Sequence, residues 1–548
     1  MTSHTGKYCI TIIYFVFMTL ILSSCTVIEN HLNRSIGMPE RPAINAIHME
    51  TAMSEKSESA PDEQEKKEKS RYETDGPLTL TISRAVMLCL ENNRSLIVER
   101  MNPLISKTLE DRERAAFDPG VSVELSAGRE KTGVDDEDVK TDTLEAVILM
   151  EQYFPSGTNV RLEGSYDLDN ATDNLYNRSK TRLGMTASQA LMKGYGSEVN
   201  LASLKQARLD TRMSEYELRG FAESLVADVE SAYWDYALAL RQVEIVEESL
   251  KVARQQLSET EKQISVGRYA KSELAAVQAE VAAQEKDLIA AKAEKESIRL
   301  KLLRHVNPPD KSLWSRAVYL AHQPVLPDIA LDEVETHVGL AKRMRPLLNE
   351  ARLEIEHGDL ELVKTKNGLL PAMELFVTLG KSGYSDAFGG SAGNITDNRY
   401  DAFAGIRFSY PFYNRDAKAA HTKARLTRDQ AEKALENLIQ LVEYDVYTAY
   451  IEVNSKKEQI AATAVIRRFN EEKLRIETEK LLVGKSTSFL VAQAQRDLLV
   501  SRIDEVKALT NYLKALIDLF RMDGSLLERR GISSPGNEPV TLFEKPHS

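Results

Sequence analysis

Two hydrophobic periods take turns along this chain. In "VSVELSAG" (121–128), Val121, Val123, Leu125 and Ala127 share one face, while Ser122, Glu124, Ser126 and Gly128 share the other. "NVRLEGSYD" (159–167) repeats the pattern, with Val160, Leu162, Gly164 and Tyr166 opposed to Arg161, Glu163, Ser165 and Asp167. "RYDAFAGIRFSY" (399–410) sets Tyr400, Ala402, Ala404, Ile406, Phe408 and Tyr410 against Asp401, Gly405 and Arg407, with "MELFVTLG" (373–380) as its partner. A period of two predicts strands with one apolar face. From about 200 to 265 the period changes: Leu218, Phe221, Leu225, Val229, Ala232, Tyr236, Ala239 and Val243 recur at steps of three and four. That predicts one helix, roughly 100 Å long at 1.5 Å per residue, with a single apolar seam.

The same order of elements occurs twice. Placing Val266-Gly267 over Val483-Gly484, an offset of 217, aligns Ala207-Arg208-Leu209 with Ala424-Arg425-Leu426 and Asp228-Val229 with Asp445-Val446. Ala232-Tyr233 likewise falls on Ala449-Tyr450, and Gln278 on Gln495. Upstream, helical segments at 79–117 and 331–369 each end before a proline, Pro119 and Pro371. The chain reads as a tandem duplication of a large unit, at 78–306 and 307–523. The first copy carries 35 extra residues, including a hairpin over 143–167 that turns at Pro155-Ser156-Gly157. Sequence leaves open whether this hairpin joins the main sheet or forms an outer loop.

The two units place a glycine in matching settings within helix-forming runs, in "ISVGRYAKSEL" (264–274) and "LLVGKSTSFL" (481–490). Glycine inside a helix costs about 1 kcal/mol relative to alanine, so both mark reversals at the far end of a helical hairpin.

Composition narrows the class. The 548 residues carry a net charge of −12, with no basic excess that would attract nucleic acid. Three cysteines are too few for a disulfide framework, and Cys89 reads as a small buried apolar residue. The nine histidines show no metal spacing, and no phosphate-binding loop occurs, so neither an enzyme, a metal site nor a cofactor is expected. The N-terminus is a targeting signal: Lys7, then an apolar run over 8–22, then Leu22-Ser23-Ser24-Cys25. This tetrapeptide resembles the lipobox of bacterial lipoproteins, which implies cleavage after residue 24 and lipidation of Cys25. Thr26 in place of an aspartate favours the outer membrane. Residues 25–77 are then a lipidated, charge-rich tether, and 524–548 a flexible tail. No other run reaches the ~20 apolar residues of a membrane helix; any membrane passage must use strands, apolar outside and charged inside.

Duplicated helix–strand–long-helix units with Val-Gly turns, Ala-Tyr pairs and a proline before the first strand resemble the TolC-type outer-membrane efflux proteins, over about 78–523. "SQALMKGYG" (188–196) and "SYPFYN" (409–414) resemble that family's strand-to-helix junctions, with Ala190 in place of a proline. The resemblance implies an α+β membrane protein: a homotrimeric transmembrane β-barrel in outer-membrane lipid, continued by a coiled-coil helical tunnel through the periplasm. It implies a passive exit duct for efflux or type I secretion, working with a periplasmic adaptor and an inner-membrane pump. Val266, Gly267, Arg268, Val483, Gly484 and Lys485 would be the adaptor-docking tips, or simple helix reversals. Glu273 corresponds to an acidic gate residue, or is a solvated helix carboxylate. Leu481 and Ser486 replace the gate's tyrosine and arginine, and Leu490 and Gln493 replace its inner aspartates, so an aspartate selectivity ring is not carried over. The rival readings are a lipoprotein adaptor, which has one hairpin flanked by compact β domains, and a coiled-coil scaffold without a channel.

Overall fold

The computed structural model describes residues 77–134, 137–171, 178–308, 313–327, 330–397 and 399–541. The expected signal segment, Cys25 and nearly all of the expected tether lie outside the described residues. A short strand β1 (Leu78–Leu80) leads into α1 (Ile82–Asn92), α2 (Arg94–Glu99) and α3 (Met101–Arg114). Four long strands follow: β2 (Gly120–Val134), β3 (Glu137–Tyr153), β4 (Thr158–Ala171) and β5 (Arg178–Ala190). One turn of helix, α4 (Ser197–Asn200), precedes the 64-residue α5 (Ala202–Ser265), and α6 (Ser272–Val306) returns alongside it. After β6 (Val318–Leu320), the order recurs with α7 (Val334–Met344), α8 (Pro346–Gly368), β7 (Ala372–Ser385), the small α9 (Phe388–Gly393) and β8 (Tyr400–Ser409). It ends with the 68-residue α10 (Arg415–Leu482), its return partner α11 (Ser488–Met522) and α12 (Leu526–Arg529).

Local chemistry explains where the helices break. Between α1 and α2, Asn93 leaves the helical region (ψ 120°), and its side-chain oxygen accepts from Ser95 N and Leu96 N at 3.0 and 3.2 Å. That is an N-cap, satisfying donors the new helix would otherwise leave open. Arg345 makes the same break between α7 and α8 (ψ 122°) with no side-chain cap. There Pro346 does the work: proline forces its predecessor out of the helical region and needs no N–H at the first helical position.

β2 to β5, β7 and β8 form one antiparallel sheet in the order β2-β3-β4-β5-β7-β8. The hairpin read at 143–167 is therefore part of the main sheet, as β3 and β4. β7 and β8 pair as expected. β5 was not anticipated, nor was the small parallel pairing of β1 with β6, which ties the first unit to the start of the second.

The core lies in the helical part. α5 is its axis, packed by α6 and α11 over one stretch and by α3 and α8 over another. All the seam residues named from periodicity are buried except Phe221, which is half-buried against the same core. Cys89 is buried, and burial pushes its thiol up to about 12, so it packs as an apolar group.

Residues 524–541, expected as a free tail, are instead packed against the helices. Leu526 and Leu527 are buried, and Arg530 holds both oxygens of the buried Glu230 on α5 at 2.5 and 2.6 Å. Val540 N donates to Asn349 Oδ1 at 2.9 Å, and Tyr216 donates to the Glu538 carbonyl. A buried carboxylate on α5 needs a partner, and the tail supplies it; its charge pattern alone gave no sign of this.

Candidate channel wall and hairpin tips

The large sheet has two chemically different faces. The row Val121–Met150–Leu162–Met185–Leu379–Ala402 crosses all six strands and contains no polar side chain. Neighbouring rows on that face add Val123, Ile148 and Leu183 on one side, in a row that ends at Lys381 and Tyr400, and Leu375 and Ile406 on the other. Val121, Val123, Leu125, Ile148, Leu183, Leu379 and Ile406 are all exposed. In β2 the band runs from Val121 to Ala127, about 23 Å along the strand at ~3.3 Å per residue. An apolar patch of this extent is far larger than a water-exposed protein surface ordinarily carries.

The adjacent row on the opposite face reads Ser122–Leu149–Glu163–Gly184–Gly380–Asp401. Arg182 lies across its two glycines, 3.6 Å from Glu163 and 2.7 Å from Asp401. A Cβ at Gly380 would come within 2.7 Å of that guanidinium and within 2.6 Å of the Asp401 carboxylate. Glycine at this site is therefore what allows one arginine to span four strands. Arg161 pairs with Glu151 at 3.1 Å and Arg407 with Glu374 at 3.0 Å on the same face. Thr186 and Thr378 share a hydrogen bond at 3.0 Å. One face is thus built for an apolar medium and the other for water. Among the described residues no helix is long and apolar enough to cross a membrane.

Where sheet meets helix, the chain turns on asparagines. Asn200 Nδ2 donates to the carbonyls of Pro155 and Gly194, fixing the β3–β4 turn to the base of α5. In the second half Asn414 adopts a left-handed conformation (φ 45°) and donates to the Leu369 carbonyl at 3.1 Å. Phe412 and Tyr413 are exposed beside it, and Arg415 lies over the Tyr413 ring at 5.0 Å. Aromatic rings at this level fit a membrane–water boundary.

The far ends of the two hairpins have the same geometry. Gly267 and Gly484 take φ of +75° and +73°. Gly267 N donates to Ile264 O and Arg268 N to Gln263 O; at the other tip, Gly484 N donates to Leu481 O and Lys485 N to Lys480 O. Each is the paired hydrogen-bond cap that ends a helix with a left-handed glycine. Val266, Arg268, Val483 and Lys485 are exposed around them. Glu273, in the first turn of α6, accepts from Ser488 N at 2.9 Å, at the first turn of α11. The candidate gate carboxylate therefore caps the neighbouring hairpin, where a negative charge is favourable at a helix N-terminus. Its partner is a backbone N–H, a class of contact with no sequence signature. Thr487, the N-cap of α11, and Glu477, which accepts from Ser486 Oγ at 2.7 Å, complete the second tip. Cys25 lies outside the described residues.

A cluster of ionisable groups, buried except for the half-exposed Glu528, lies at the waist of α5. Arg219 lies 3.2 Å from Glu223 and 3.4 Å from Glu528, and His337 lies 2.7 Å from Asp523. Burial pushes the Glu223 carboxyl up to about 8 against the pull of Arg219, with Asp523 and Glu528 adding to the rise. Among the described residues no group of His, Cys, Asp and Glu has metal-binding geometry.

The comparisons with known proteins agree with this geometry. The structure resembles the outer membrane channel CmeC of Campylobacter jejuni, at 14% identity and a TM-score of 0.62, covering 89% of this chain and 98% of that one. It resembles a membrane protein from Pseudomonas aeruginosa at 18% identity and 0.61, covering 82% and 91%. It also resembles the open state of the MtrE outer membrane channel of Neisseria gonorrhoeae, at 16% and 0.59, covering 89% and 98%. At such identities the likeness is one of fold. No curated sequence relative matches the chain. A family model described as "Outer membrane efflux protein" matches residues 89–307 and 338–525, most of the chain, and the protein belongs to that family.

Proposed function

We propose that this chain is the outer-membrane exit duct of a tripartite efflux or type I secretion system. The observation that carries the reading is the two-faced sheet: an unbroken apolar row across six strands, backed by a row of glycines and ion-paired charges. A wall between lipid and a water-filled lumen needs both faces. In this reading three copies share one barrel, and their long hairpins continue it as a tunnel through the periplasm. The two units, 78–306 and 307–523, descend from a tandem duplication, which the matched glycine caps support.

The tips at Val266-Gly267-Arg268 and Val483-Gly484-Lys485 meet a periplasmic adaptor, which couples the duct to an inner-membrane pump. A glycine cap with open space around its α-carbon lets another backbone come close. The Glu273 contact to α11 holds the two tips of one chain together and forms part of the closed state. Cys25 carries the lipid anchor in the outer membrane. The chain does no chemistry of its own; the pump supplies the energy and chooses the cargo. An adaptor reading would leave the exposed apolar sheet face without a purpose.

Single-channel recording of the purified protein in a planar bilayer tests this. Discrete conductance steps are expected, larger when Glu273→Ala loosens the tips. A protein that inserts into no bilayer and carries no current would overturn the reading.

A further inference from the structure

The sheet of one chain is open. Among the described residues β2 pairs only with β3, and β8 only with β7, so β2 presents an edge of 15 residues and β8 one of 10. An unpaired strand edge cannot stand in lipid, because each open N–H and C=O costs several kcal/mol there. Six strands cannot close on themselves either, since bacterial barrels begin at about eight. The edges must therefore pair with other copies.

The two edges are made to meet. β2 runs away from the helices, starting directly after α3, and β8 runs toward them, ending directly before α10. Pairing β2 of one copy with β8 of the next is antiparallel, like every other pairing in the sheet. The helices beside each edge carry matching apolar exposure: Met101, Leu104 and Ile105 on α3, and Tyr444, Tyr447 and Ile451 on α10. A head-to-tail contact of this kind closes into a ring when the rotation between copies divides a full turn.

We infer that the β3–β4 hairpin, the extra segment of the first unit, is part of the membrane wall, and that three copies of six strands close a barrel of eighteen. This rests on the three-copy duct proposed above. Without the hairpin each chain would bring β2, β5, β7 and β8, and three copies of those four strands would close twelve. At ~4.8 Å between strands and ~40° of tilt, the backbone diameter rises from roughly 24 Å to roughly 36 Å. The hairpin thus widens the outer end of the duct. It is placed to do so: Leu162 lies in the unbroken apolar row and Ile148 on the same face, the inward Glu163 joins the Arg182–Asp401 group, and the turn is bonded to Asn200.

Strand counting in images of the purified particle in lipid discs, together with thiol labelling in vesicles, tests the inference. Eighteen strands from three copies is the expected result. In I148C the new thiol faces lipid and should react at least tenfold more slowly with a charged maleimide than that of E145C, which faces the lumen. Cys89 is buried and gives little background. Three copies closing twelve strands, with the hairpin outside the wall and both thiols reactive, would overturn the inference and leave the duct standing. A particle with no closed barrel would overturn both. If the charged reagent cannot reach the lumen, E145C reports this directly, and the strand count alone decides.

Discussion

α5 and α10 occupy corresponding places in the two units and have nearly equal lengths, yet their surroundings are opposite. Of the 64 residues of α5, 29 are buried, against 6 of the 68 in α10, so one helix is an axis and the other an outer face. The difference holds residue by residue at the offset of 217. Ala227 is 4% exposed and its counterpart Tyr444 66%; Trp234 is 7% exposed and Ile451 66%. Glu230 is 0% exposed and Tyr447 43%. The outer helix has not simply exchanged apolar for polar residues at these positions. It carries large apolar groups of its own, at Leu441, Tyr444, Tyr447 and Ile451, spaced along one stripe. A stripe with period three to four, exposed in a single chain, is half of a helix-packing seam. Each unit thus carries a seam along its long helix, of which a single chain covers only the first and leaves the second exposed on α10.

The largest expected effect lies in the axis. Trp234→Ala should cost about 3–5 kcal/mol, as large aromatic truncations in a core do, and lower the melting temperature sharply. Ile451→Ala should change the stability of the single chain by no more than ~0.5 kcal/mol. Equal losses at both sites would show that Ile451 is as tightly packed in the single chain as Trp234. Next comes the stripe itself: Tyr444→Glu with Ile451→Glu should leave the far-ultraviolet circular dichroism unchanged while separating the assembly into single chains in detergent. Particles that stay assembled would show that the stripe faces something other than a second copy.

At the hairpin tips the two units are alike, each ending in a left-handed glycine. Gly267→Ala and Gly484→Ala should each cost about 1–2 kcal/mol through left-handed strain. Replacing both by Trp should abolish crosslinking to a periplasmic adaptor while the barrel still assembles. Retained crosslinking would reduce the tips to plain reversals.

The smallest effect belongs to the ionisable cluster at the waist of α5. Glu223 keeps its proton to about pH 8 when folded and loses it near 4.5 in the unfolded chain. Between those values the folded state binds more protons, so stability falls as pH rises through the window. Glu223→Gln should flatten that slope, measured as melting temperature from pH 5 to pH 8. A slope unchanged in the variant would assign it to other groups.

Much of the fold was legible because period and repetition are local signals. The strands at 121–128, 159–167, 373–380 and 399–410, the seam of α5 and both glycine caps could all be read from residue order. β5 escaped notice because its inward residues Lys180, Arg182, Thr186 and Ser188 outweigh the few large apolar side chains, Leu183 and Met185, on its other face. β3 blurs the alternation, since Val147 and Leu149 stand on the polar side within the run Ala146–Met150. The membership of the hairpin in the sheet depends on register with distant strands, which no local pattern contains. The packing of the tail was hidden for the same reason: Arg530 and Glu230 are 300 residues apart. Of the site residues, the tips were readable from two misplaced glycines. The bond from Ser488 to Glu273 was not, because its donor is a main-chain N–H.

The most direct test of the account is the mass of the purified particle, measured by light scattering with the detergent contribution removed. Three chains per particle, falling to one when Tyr444 and Ile451 are both made glutamate, is the predicted result. A wild-type particle of one chain, with the α10 stripe open to water and the β2 and β8 edges unpaired, would contradict it.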